Sequence, residues 1–245
     1  MFHSLTHRAG ITQQQHRALP GISNTDLSRV ADVVLGNTHK PWAPALDFGS
    51  YFHSAILEPE AFDAEHTGEL TGVQLTARAQ AALLARIIKR HRYPRHVCYR
   101  GIPEQSYTAT HEATGLLVKV RPDLIIDSPK KTRRTLVDFK TTSCATLEQF
   151  TAAIEKYDYD RQGAFYADVM GAQRVVLIAV QKKPKAGKQP AVWVVELSAE
   201  QMAMGRKKYG KLLREVRETA GRMVGAGQLR ASTTAGSATV TLAAA

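Results

Sequence analysis

Cysteine is scarce in this chain. Only Cys98 and Cys144 occur in 245 residues. Two cysteines cannot make a disulfide framework or a four-cysteine cluster, so a reducing cytoplasm is the expected setting. Long apolar runs are missing too. No stretch approaches the roughly 18–20 apolar residues that cross a bilayer. The start, Met1-Phe2-His3-Ser4-Leu5-Thr6-His7-Arg8, lacks the apolar core of a secretion signal. A soluble cytoplasmic protein with no membrane partner is expected. Acidic residues are the third shortage: 22 Asp+Glu face 33 Lys+Arg, a formal charge of +11. That excess favours an anionic partner, with nucleic acid ahead of an acidic protein or a membrane surface.

What remains is ordinary for a globular chain. Hydrophobic residues make up 44% and charged residues 22%, enough for one domain with a sizeable core. Residues 1–22 are polar, broken by Pro20-Gly21, and read as a flexible arm. Ser23-Asn24-Thr25-Asp26 offers N-cap chemistry for a helix through Val34. A second helix is expected over Phe48 to Leu57, limited by Pro59. A third spans Leu75 to His91, with Ala82, Leu83, Ile87 and Ile88 at helical spacing and basic residues crowding its end.

The pattern changes near Glu104. Tyr107 to Thr110 and Leu116 to Ile126 read as strands, and Thr135 to Thr141 as a third. Helices follow over Leu147 to Lys156 and Arg161 to Met170, then apolar strands over Arg174 to Gln181 and Ala191 to Leu197. Ser198 to Gln201 forms a capping box for a helix to about Ala220. The expected division is a single domain over residues 23–220 and a weakly ordered tail, residues 221–245. This order makes an α/β fold with a mixed central sheet flanked by helices and a helical N-terminal part.

Strand periodicity selects the candidate site. Asp138 and Lys140 lie two apart and share a face, with Val137 and Phe139 on the other. On the preceding strand, Lys119, Arg121 and Asp123 share a face, with Val118 and Val120 opposite. If the strands are neighbours, two carboxylates and a lysine meet. Paired carboxylates suit Mg²⁺, which takes oxygen ligands. A lysine beside them can orient a water and offset charge on a phosphate. Asp-x-Lys alone is common and is often a solvated strand face. Here apolar flanks make its charges costly unless paired or used. Gln162 and Tyr166 are four apart on a helix and share a face, which also fits an amphipathic helix with Tyr166 half in the core. His53 stands in an apolar helical run, where a histidine is commonly a core residue.

Four segments in order carry a resemblance. They are residues 49–59 around His53, Lys119-Val120-Arg121-Pro122-Asp123, Leu136-Val137-Asp138-Phe139-Lys140-Thr141-Thr142, and residues 157–166 ending in Gln162-Gly163-Ala164-Phe165-Tyr166. Over about residues 20 to 215 the chain resembles the PD-(D/E)xK nuclease superfamily. Within it, the chain resembles specifically the RecE-type phage and prophage exonucleases, related to the RecB nuclease domain and lambda exonuclease. The resemblance implies a restriction-endonuclease-like core. It implies Asp123, Asp138, the Phe139 backbone carbonyl and His53 as metal ligands, Lys140 as the catalytic lysine, and Glu104 as a helping acid. Gln162 and Tyr166 would place DNA. It also implies Mg²⁺, with Mn²⁺ able to substitute. The expected reaction is hydrolysis of linear double-stranded DNA, 5′ to 3′, for recombination. A ring-shaped homo-oligomer (trimer or tetramer) and a single-strand annealing partner go with it. Iron–sulfur members need four cysteines, so no such cluster is expected.

Charge adds candidate DNA contacts: Arg121, and Lys130, Lys131, Arg133 and Arg134 between the two strands. Further basic groups stand in the 182–189 hairpin and on the last helix. An endonuclease or single-strand nuclease of the same fold, or an inactive DNA-binding module, are the alternatives.

Overall fold

A computed structural model describes residues 1–36, 43–64, 70–130 and 132–225. The chain opens with β1 (Phe2–Arg8), α1 (Gln13–Ala18) and α2 (Asn24–Leu35). It continues through α3 (Ala43–Leu57), α4 (Pro59–Ala64), α5 (Gly72–Arg90) and α6 (Arg92–Arg100). Strands β2 (Ile102–Pro103), β3 (Ser106–His111), β4 (Leu117–Val120), β5 (Leu124–Asp127) and β6 (Arg134–Thr142) follow. Then come α7 (Leu147–Lys156), α8 (Tyr159–Met170), β7 (Arg174–Gln181), β8 (Val192–Glu196) and α9 (Ala199–Gly225).

Local chemistry sets many of these ends. Ser23 accepts from the Asp26 N–H, and the Asp26 side chain accepts from Ser23 in return, closing the first turn of α2. Thr71 and Gln74 do the same for α5. The expected box at the start of α9 is present: Ser198 N–H donates to Gln201 Oε1 at 2.9 Å, and Gln201 N–H to Ser198 Oγ at 3.2 Å. Pro59 does divide two helices, and it opens α4 as a first-turn proline.

Two sheets result. The larger runs β2-β5-β6-β7-β8, with β6 and β7 parallel and the other pairs antiparallel. The smaller is antiparallel, in the order β1-β3-β4. This is the mixed α/β architecture expected. Alternation along β6 divides the core. Val137 and Phe139 pack with Phe52 and Ile56 of α3 and Leu84 and Ile88 of α5. Leu136 faces the other side, with Ala164 and Phe165 of α8 and Leu213 of α9. Asp138 and Lys140 therefore lie on the α8 side of the sheet.

Three expectations are corrected. Residues 1–22 are not a loose arm: β1 pairs with β3 from Phe2↔His111 to Arg8↔Ser106, and Thr12 caps α1. The Phe2 ring packs on Phe165 and Tyr209, which anchors the strand. The single strand expected over Leu116 to Ile126 is two strands in different sheets, β4 and β5. Pro122 sits at the break, where it offers no N–H to a ladder and constrains Arg121 before it. The tail does not begin at Gly221, because α9 continues to Gly225. The rest of the tail, 226–245, lies outside the described residues.

Candidate active site

The break at Pro122 builds the site. Beyond the Leu124↔Val137 pair, β5 has ended, and among the described residues β6 has no strand beside it on that edge. Asp123 takes the strand's place. Its Oδ2 accepts the Phe139 N–H at 2.7 Å. In extended backbone the N–H and C=O of one residue point to the same edge, so the Phe139 carbonyl faces Asp123 too. Two other elements reach this point. His53 of α3 brings Nδ1 to 3.2 Å from Asp123 Oδ2. Glu104 follows β2, and its N–H donates to the Asp123 carbonyl at 3.1 Å. Its φ of 51° is left-handed, a conformation costing about 1–3 kcal/mol outside glycine. One ligand atom each from His53, Glu104 and Asp123 lies within 4.8 Å of the others.

Asp138 and Lys140 form the second half. Lys140 Nζ is 2.6 Å from Asp138 Oδ2 and donates to Gln162 Oε1 at 3.0 Å. Gln162 Nε2 donates to Asp138 Oδ1 at 3.0 Å. The three side chains thus close a ring between β6 and α8. Lys140 stands close to Asp138 Oδ2, yet that oxygen receives no donor at hydrogen-bonding angle among the described residues. Tyr159 lies one helical turn before Gln162, and its ring sits 4.7 Å below Lys140 Nζ. Sequence reasoning passed over it, although the three-residue spacing to Gln162 was a signal. Tyr166, one turn beyond Gln162, lines the same pocket with Pro122 and Asp138. Burial raises its hydroxyl pKa, and the hydroxyl meets the Arg121 backbone.

The electrostatics separate the carboxylates. Burial would raise Asp123, but His53, Lys140 and the Phe139 N–H hold it below the usual range. Burial drives Asp138 above that range against the pull of Lys140. Glu104 is pushed up to about 7 by burial and then by the Asp123 charge, with Arg121 opposing. Burial would lower His53 and Lys140, but the neighbouring carboxylates outweigh it and both are raised. A site that pushes neighbouring carboxylates apart in this way is equipped for acid–base or metal chemistry.

Some expected contacts are used elsewhere. Arg121 is not on a DNA-facing surface. Its side chain is 7% exposed and donates to Glu104 Oε2 at 2.5 Å, Ser106 Oγ at 2.7 Å and the Ile11 carbonyl at 3.0 Å. Lys119 does not share the site either. Its Nζ donates to the carbonyls of Arg17 and Leu19, holding the end of α1. Arg134 makes a two-pronged pair with Asp127 and donates to the Met170 carbonyl. Lys130 and Arg133 are exposed, while Lys131 lies outside the described residues. Their loop leaves the sheet beyond Arg134, four residues and roughly 13 Å down the strand from Asp138.

A mixed sheet carrying Pro122-Asp123 on one strand end and Asp138-Phe139-Lys140 on the next defines a restriction-endonuclease-like core of the PD-(D/E)xK kind. The chain belongs to the family described as PDDEXK-like domain of unknown function (DUF3799), which it matches over residues 28–224. No curated protein matches it. An Eubacterium rectale protein, described in its crystal structure as "Putative exonuclease", shares the fold. Its TM-score is 0.58 at 18% identity, covering 91% of this chain and 89% of that one. At such identity the likeness shows the fold alone. The structure of SSO0001 is more distant, with a TM-score of 0.35, 13% identity and coverage of 79% and 84%. No helix among the described residues is long and apolar enough to cross a membrane.

Proposed function

We propose that this chain is a divalent-metal-dependent exodeoxyribonuclease of the RecE type, shortening linear duplex DNA from 5′ ends. One observation carries the reading. Ligand atoms of Asp123, Glu104 and His53 lie within 4.8 Å of one another, and Asp138 pairs with Lys140 at 2.6 Å on the neighbouring strand. Oxygen donors with one imidazole suit Mg²⁺, and Mn²⁺ in its stead. Asp123, Asp138, Glu104, His53 and the Phe139 carbonyl would hold it. When bound, the ion supplies positive charge to the phosphate and acidifies nearby water.

The chain's own groups supply the rest. Lys140 offsets negative charge on the phosphate as the water oxygen bonds to phosphorus and the bond to the leaving oxygen breaks. Gln162 positions Lys140 and Asp138, and Tyr166 shapes the pocket wall toward DNA. Lys130 and Arg133 neutralise phosphates further along the duplex. Attack at DNA ends, a ring of three or four copies, a single-strand annealing partner and a role in phage or bacterial recombination belong to the same reading. They draw on the resemblance of the motifs and, for exonuclease action, on the name given to the Eubacterium rectale protein.

Linear duplexes labelled separately at the 5′ and 3′ ends test this. With Mg²⁺ the protein is expected to release the 5′ label first, and with chelator to release nothing. Asp138→Ala is expected to slow digestion by at least about a hundredfold. An Asp138→Ala protein as fast as wild type would remove the site. Cutting of closed circular DNA would replace the exonuclease with an endonuclease.

A further inference from the structure

Between Glu69 and Glu104 the chain carries no carboxylate side chain. Helix α6 lies in this interval, and its inward face is short. Pro94 and Val97 are buried, and Gly101 just beyond packs close to Leu124 of β5. The outward face is a regular stripe. Arg92, Arg95, His96 and Tyr99 fall at positions i, i+3, i+4 and i+7, on one side of the helix. With Tyr93 they line a broad open groove. Tyr99 is 85% exposed, and Tyr93 and Ile102 are exposed beside it. No acidic group pairs with Arg92 or Arg95 among the described residues.

A solvated charged face does not need aromatic rings held in water. Exposed apolar surface rimmed by charge of one sign marks a binding surface. Positive charge alone would suit any polyanion. Flat rings interleaved with arginines suit one whose bases are uncovered, because a ring can stack on a base only where no neighbouring base pair covers it. We propose that the outward face of α6 is a platform for single-stranded nucleic acid, with Tyr99 and Tyr93 stacking on bases and Arg92 and Arg95 on phosphates. The platform is placed for continuity with two other features. Its helix runs through Gly101 directly into β2 and Glu104. Tyr93 lies within electrostatic reach of Glu196, as does Arg133 of the basic loop, so the groove and the loop share one end of the sheet.

The platform lies outside the pocket and binds whether or not the pocket cuts, so it stands apart from the nuclease reading. The test is fluorescence anisotropy in chelator, using labelled oligothymidine and a blunt duplex of equal length. Tyr99→Ala is expected to weaken single-strand binding roughly tenfold and duplex binding far less. Tyr99→Phe keeps the ring and is expected to bind as wild type does. Replacing Arg92 and Arg95 by Ala is expected to make single-strand binding less dependent on salt. These side chains are exposed, and an unchanged melting temperature verifies folding. Single-strand binding unaffected by Tyr99→Ala would overturn the proposal, as would an equal loss on duplex, which would leave only a charged surface. Digestion by wild type with Mg²⁺ reports on the pocket separately. An inert wild type that still needs Tyr99 to bind oligothymidine would sink the nuclease reading and leave the platform standing.

Discussion

Arg121 and Asp123 are two residues apart, and their sequence setting suggested one shared surface. Three-dimensional neighbours decided otherwise. Ile11, 110 positions away, and Ser106, 15 away, close over the Arg121 guanidinium, and Glu104 occupies its Nε. Such long-range cover leaves no trace in local spacing. The pair it makes has a clear signature. Removing one partner of a buried ion pair strands the other charge, a loss of about 3–5 kcal/mol. Arg121→Met is expected to lower unfolding free energy by about 3 kcal/mol in urea, near the lower bound because Glu104 can take up a proton. Adding Glu104→Gln should restore much of that stability while leaving DNA digestion impaired. A double variant no more stable than the single one would show that Glu104 is not what Arg121 serves. The candidate metal ligands were more readable than Arg121. Asp138 and Lys140 stood out as charges within an apolar strand, where only use or pairing explains them, while His53 and Asp123 took their weight from the order of the motifs.

Elements differed in legibility for reasons of the same kind. Strands β6 and β7 are apolar and long, so their pattern survives inspection of a single sequence. Strand β1 is polar on one side and weakly patterned, and what makes it a strand is β3, roughly a hundred residues later. Helix α6 escaped notice because its buried face is only Pro94 and Val97. The run from Leu116 to Ile126 misled because alternation continues through Arg121-Pro122-Asp123, although hydrogen bonding does not. The anchor of β1 is open to measurement. The Phe2 ring lies tilted against His111 at 4.9 Å, with Phe165 and Tyr209 at 5.9 and 6.0 Å. Truncating a buried phenylalanine costs about 3–5 kcal/mol, and Phe2 is only half-buried. Phe2→Ala should therefore cost about 2 kcal/mol and speed amide exchange along β3. A free arm would show neither effect.

At the scale of the whole molecule, a charge of +11 makes acid a threat to stability. His16 gives that threat a location. It is buried in α1, and its Nδ1 has no partner among the described residues. Burial first, then Arg121, Lys119 and Arg17, lower its pKa from 6.5 to about 4. The unfolded chain takes up this proton before the folded one as pH falls. The histidine's contribution is therefore whole above about pH 6.5 and is lost progressively toward about 4. His16→Leu should flatten the fall of melting temperature across that window. Parallel curves for the two proteins would assign the acid loss to other groups.

The bond from Phe139 N–H to Asp123 has a consequence for how this chain can change over time. A carboxylate stands where the next rung of a sheet would be, so the site is tied to strand register. Sliding β5 against β6 by one residue would turn the side chains of β5 to the opposite side of the sheet and leave Asp123 facing the wrong amide. Insertions between Leu124 and Asp127, or between Arg134 and Lys140, should therefore be absent from working relatives. The loop joining the two strands carries no such constraint, and its length is where descendants of this chain are free to differ.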